Sequence, residues 1–209
     1  MDPVLKAAAD HWDGIHAAVG PERSAELDDL AAELAGVHER SARLRLRLKL
    51  IRLLRESLPA DHPVRQAIRE GERSVAPADE DRDTAAGLLA ETAARRAMRL
   101  AELDLLAEPG YTPQEVRDLG GDPERTGLLR LPLPGGGHRL PAFQFGERGE
   151  VPAVVLVINE LLRADTDPWG VADWWMCGNS WLDAVPAGLV GTVPDGELVA
   201  AARAVRGEE

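Results

Sequence analysis

The chain is expected to adopt a mainly α fold. A long-helix or helical-hairpin region comes first, then a small helical domain with a β-hairpin wing, then a further helical domain. Three observations predict this. Apolar residues recur at spacings of three and four along most of the 209 residues. Helix starts are marked repeatedly by a capping residue followed by proline, as at Thr112-Pro113 and Asp167-Pro168. Only one pair of short apolar runs flanks a tight turn, at Pro134-Gly135-Gly136-Gly137.

Residues 3–19 read as a short helix through Val4, Ala8, Trp12 and Ile15. Gly20-Pro21 breaks it and opens the next. From there Leu27, Leu30, Leu34, Val37, Ser41, Leu44, Leu48 and Ile51 follow a 3,4 alternation, the heptad seam of one long helix. Arg43 to Leu50 alternates strictly, which is a strand pattern. The seam stays in phase on both sides of it, and Leu, Arg and Lys favour helix. The same segment is a basic band, read first as a solvated helix face and second as a nucleic-acid arm. Pro59 and Pro63 end the helix, and Val64, Ala67 and Ile68 begin a short continuation.

Residues 71–83 are polar and charged and are read as a linker. Four regions result: 1–70 helical and heptad-bearing, 71–83 linker, 84–146 resembling a degenerate helix-turn-helix with a hairpin, and 147–209 helical. After the linker, a helix runs to about Ala107. Thr112-Pro113-Gln114-Glu115 is a capping box, and Asp122-Pro123 opens another turn. Leu128–Leu133 and His138–Phe145 form the hairpin. Residues 151–163 fit either a strand, by their β-branched content, or a helix. Asp167-Pro168 starts a helix rich in tryptophan, and Asp195 caps a last one through Val205.

Composition narrows the function. The formal charge is −12, which disfavours non-specific nucleic-acid binding. One cysteine, Cys177, excludes an internal disulfide or a Cys-based zinc cluster and suits a reducing cytosol. No apolar run approaches the ~18 residues of a membrane span, and Met1-Asp2-Pro3 does not open a signal peptide. A cytoplasmic location is expected. No nucleophile elbow, HExxH, kinase or Walker pattern occurs. His11, His16, His38, His62 and His138 are read as solvent-facing or capping rather than metal-binding. The Asp79-Glu80-Asp81 run with Asp83 reads as solvated linker, since it lacks the glycine and distal glutamate of a calcium loop. No enzyme, metal or cofactor is expected.

Four of five tryptophans crowd into one stretch: Trp169, Trp174, Trp175 and Trp181. With their surroundings they resemble a known family. The capped helical pair at 112–126, the segment Arg139-Leu140-Pro141-Ala142-Phe143-Gln144-Phe145, and Asp167-Pro168-Trp169 through Trp174, Asn179, Leu182, Pro186 and Leu189 into Glu197–Ala202 follow the order of motifs in the Xre/MbcA/ParS-type antitoxins. The resemblance covers a little over half the chain. It implies a helical antitoxin, usually dimeric or higher, whose C-terminal domain blocks a RES-domain toxin that degrades NAD. Residues 1–70 lie outside the resemblance; their heptad seam suggests self-association as a homodimer, or packing as a helical hairpin on the rest. By position, Trp181, Leu182, Pro186, Leu189, Glu197 and Arg203 would lie at the toxin contact. Arg117, Arg125, Arg130 and Arg139 would be the DNA-contacting candidates, although little room for a recognition helix exists between Asp122 and Leu128. The alternatives are a DNA-binding transcriptional regulator, or a coiled-coil adaptor or structural protein without a toxin partner.

Overall fold

The computed structural model describes residues 1–71 and 79–207. It is mainly helical, with a small three-stranded antiparallel sheet. The chain forms two compact units, Met1–Leu100 and Ala101–Glu209. Of the expected linker, residues 72–78 lie outside the described residues, and from Asp79 onward the chain is helical.

The first unit holds α1 (Pro3–Asp10), α2 (Trp12–Ala18), α3 (Pro21–Gly36), α4 (Arg40–Ser57), α5 (Pro63–Gly71) and most of α6 (Asp79–Ala107). The single helix expected over 3–19 is divided at His11. More consequentially, the long seam helix is two helices. The chain leaves helical geometry at Val37 (φ −89°, ψ 120°), just after Gly36, and Glu39 caps α4 by accepting from the amides of Ser41 and Ala42. Gly36 is the weak point, because glycine gives up the most backbone entropy in a helix. Arg43 locks the bend by donating through Nε and Nη2 to the Val37 carbonyl, at 2.9 and 2.8 Å. With a three-residue connection, α4 folds back onto α3.

This fold-back changes which residues are inside. Leu27, Leu30 and Leu34 of the predicted seam are buried, as are Leu50 and Leu54 on α4. Leu44 and Leu48 stand 50% and 54% exposed. The continuous seam on which self-association of residues 1–70 rested is therefore not formed. The core is completed by Leu5, Trp12, Ile15, Val64 and Leu89. The basic band is extensively paired within the chain: Arg45 with Glu39, Arg47 with Asp2, Lys49 with Glu26, Arg52 with Glu56, and Arg43 with Asp83.

His16 departs from the expected solvent-facing role. It is buried against the edge of Trp12, with ring centroids 5.0 Å apart. Its Nε2 lies 3.2 Å from the Asp28 carboxylate, which also accepts from Trp12 Nε1. Burial pushes the His16 pKa below its ordinary value of 6.5, against the opposing pull of Asp28. His62 is lowered in the same direction, again chiefly by burial. A base whose pKa is depressed by folding is protonated first in the unfolded chain. The stability these residues supply is thus complete above about pH 6.5 and falls as the pH drops below it. Thermal unfolding between pH 7.5 and 5.5 is expected to show this acid-side loss, with a shallower slope for His16→Leu. An unchanged slope would assign the loss to other groups.

The second unit is built on β1 (Gly110–Tyr111), α7 (Pro113–Asp118), β2 (Leu131–Pro132), β3 (His138–Pro141), α8 (Ala153–Leu161), α9 (Pro168–Met176) and α10 (Asp195–Arg206). The predicted hairpin is β2–β3, and β3 also pairs with β1, giving the order β1-β3-β2. Residues 151–163 contain α8, so helix prevails over strand. The Thr112–Glu115 capping box is present, with Glu115 reaching back to the Thr112 amide. Asp167 caps α9 through the Gly170 amide. Asp195 is the first residue of α10 rather than its side-chain cap, which leaves its charge in the favourable first turn. Asp122-Pro123 opens only a turn, with Asp122 accepting from the Glu124 amide.

Candidate interaction site

The second unit is organised by a buried polar relay. Gln144, in the 3₁₀ turn after β3, donates to the Leu129 carbonyl and accepts from the Leu129 amide, at 3.0 and 2.8 Å. It thereby copies a strand pairing with a side chain. Asn159 of α8 donates to Gln144 Oε1 and to the Gly127 carbonyl, at 3.1 and 2.9 Å. Trp175 of α9 donates to Asn159 Oδ1 at 2.8 Å. Gln144, Asn159 and Trp175 are all completely buried. Sequence reasoning missed Gln144 and Asn159. The available signal was a lone amide inside the apolar run Val154–Leu162, because a polar group placed there demands a partner.

The relay fixes the tryptophan helix. Trp175 packs against Phe143 and Trp174, with centroids 4.8 and 4.9 Å apart. Trp174 is buried and Trp169 half-buried in the same core. Trp181 differs: it is 68% exposed. It stands on a short loop closed by the Asn179–Ala184 bridge. Asn179 Oδ1 also accepts from the amides of Trp181 and Leu182, at 2.9 and 3.2 Å, so the loop is held from inside. Asp183 supplies the left-handed residue, φ 49°.

The other predicted contact residues fall into two groups. Leu182 and Leu189 are half-buried against the core and Pro186 is buried, so these three support the surface. Glu197 and Arg203 are exposed at the two ends of α10. Val185 and Val205 are also exposed. Val185 joins Pro109, Phe143, Met176 and Ala187 around an apolar cleft of about 190 Å³, with Glu108 at its edge. Cys177, capping the end of α9, is exposed, and its thiol pKa is raised by desolvation and by the Asp173 carboxylate.

The four candidate DNA-contacting arginines differ in exposure and in partners. Arg130 donates to the carbonyls of Pro123, Arg125 and Leu128, at 2.7, 2.9 and 3.3 Å, and so staples the turn where a recognition helix was expected to be short. Arg139 is half-buried and lies over Gly110, where a Cβ would meet its Nε at 2.7 Å. Arg117 is exposed and 3.6 Å from Glu124, and Arg125 is exposed. Among the described residues no group of three or more His, Cys, Asp or Glu is placed to hold a metal ion. No described helix is long and apolar enough to cross a membrane. No protein-family model matches the chain, and no curated protein or solved structure is significantly similar to it.

Proposed function

We propose that the chain is a cytoplasmic, antitoxin-like binding protein that neutralises a RES-type, NAD-degrading toxin through its second unit, without catalysis of its own. The observation that carries the reading is Trp181. Of its neighbours, Trp174 and Trp175 are buried and Trp169 is half-buried, while this one is held out in water by a loop braced through Asn179. An exposed tryptophan on a rigid support is the usual anchor of a protein interface, because little side-chain freedom is lost on binding. Glu197 and Arg203 would flank it as charged rim residues, and the acidic balance of the chain suits a basic nucleotide cleft.

The DNA-regulator alternative draws less support. Its recognition segment is a turn, and Arg130 spends its donors on backbone carbonyls. The test is to purify the chain with the toxin encoded beside it and follow NAD loss. Binding and inhibition are expected. Trp181→Ala should weaken binding by at least about 30-fold, roughly 2 kcal/mol, while changing stability by less than about 0.5 kcal/mol. Absence of both binding and inhibition by the unmodified chain overturns the reading.

A further inference from the structure

The second unit carries a further surface, which shares no residue with the toxin contact proposed above. A groove of about 970 Å³ is lined by the turn before β2 and by the end of α8. That volume is at the upper end of the ligand-sized range, roughly 300–1,000 Å³. Leu128, Leu156 and Pro168 give it an apolar lining, and Glu124, Glu160 and Asp165 stand exposed around them. A tight turn brings Asp165 there. Arg163 adopts a left-handed conformation, φ 63°, and the Ala164 amide donates to the Asn159 carbonyl at 2.8 Å.

The negative charge of this groove is largely uncompensated. Among the described residues, the Glu160 and Asp165 carboxylates have no hydrogen-bond or ion-pair partner. The Glu124 carboxylate is met by Arg117 at 3.6 Å, with its side chain still 69% exposed. The cation in the lining, Arg130, turns its guanidinium to the backbone carbonyls of Pro123, Arg125 and Leu128.

We infer that this groove receives a short basic segment of another protein, one with an apolar side chain between Lys or Arg residues. The free carboxylates select a cationic occupant. The apolar lining between them selects one that also carries a side chain to bury there. A polyamine or a divalent cation would use the carboxylates and leave that lining in water. Nucleic acid and acidic peptides would be repelled by the three carboxylates. A second copy of the chain is disfavoured, because its densest run of cations, on α4, is already paired within the chain.

The experiment uses the full chain and fluorescence anisotropy with three short labelled peptides, at about 0.15 M salt to screen general attraction to an acidic protein. One peptide alternates Arg and Leu, one has Ser for every Leu, and one has Glu for every Arg. The Arg/Leu peptide is expected to bind saturably, at least about tenfold more tightly than either control. The pair Glu160→Gln with Asp165→Asn, at exposed positions, should weaken it at least about fivefold with an unchanged melting profile. The pair Asp29→Asn with Glu33→Gln removes the same charge from the exposed side of α3 and should change binding by less than about twofold. Equal binding of the Ser peptide, no saturable binding, or an equal loss in the two double variants overturns the inference. So does displacement of the peptide by equimolar spermine, or a dimer of the free chain that the groove variant abolishes. None of these outcomes reads NAD protection through Trp181, so the two proposals fail separately.

Discussion

Replacing Asn159 with Ala is expected to destabilise the second unit by about 3–5 kcal/mol. The amide has three tasks at once: it donates to Gln144 and to the Gly127 carbonyl, and accepts from Trp175. Its removal strands the buried indole N–H of Trp175, deprives the Gly127 carbonyl of its donor, and leaves a small void. Asn159→Asp should be as damaging, because a carboxylate cannot donate to either oxygen and would be a buried charge facing them. Gln144→Ala should follow closely through loss of the paired bonds to Leu129. Denaturant unfolding monitored by near-UV circular dichroism of the packed aromatics measures the effect. A loss below about 1 kcal/mol would mean that the relay is dispensable.

The second large effect is expected at Asp2. One carboxylate oxygen caps α1 by accepting from the amides of Val4 and Leu5, at 3.0 and 3.3 Å. The other accepts from Arg47 Nε at 2.7 Å. Asp2 is fully buried, and the Arg47 side chain is 20% exposed. Asp2→Ala removes a cap worth about 1 kcal/mol and leaves a half-shielded guanidinium without its counter-charge, for a total of about 3 kcal/mol. Asp2→Asn keeps the cap acceptor and should cost less. The pair Asp2→Ala with Arg47→Met should recover part of the loss, because no charge is then stranded. A double variant as unstable as the sum of its parts would show that the two side chains act independently.

Features written into neighbouring residues were legible in the sequence. The Thr112–Glu115 box and the Asp167-Pro168 start need only local geometry, and both are formed. The glycine-rich turn and the strands beside it are equally local. What failed was register over distance. Leu34, Val37 and Ser41 keep heptad phase across a bend, because two helices that fold together each need an apolar stripe, and the phase can match by accident. Gly36 was the clue to the break. Strand β1 escaped notice because two residues acquire strand geometry only from β3 beside them. The helix at 153–161 was undecided because its outer face also carries apolar residues, among them Val157 at 49% exposure, so the helical period of the buried Val154, Val155, Ile158 and Asn159 does not show in the hydropathy pattern. At the candidate site, crowding of the tryptophans was visible in the sequence. That Trp181 stands largely in water while Trp174 and Trp175 are buried depends on the Asn179 brace, which no spacing rule contains.

The distribution of tryptophans has a spectroscopic consequence. Trp12 is alone in the first unit, while Trp169, Trp174, Trp175 and Trp181 belong to the second. Indole emission therefore reports the two units unequally, and Trp12→Phe makes it a reporter of the second alone. Within that unit, a neutral collisional quencher reaches the indole of Trp181 long before the buried ones. Protection of that single fluorophore follows occupancy of its loop directly, on a signal the protein already carries.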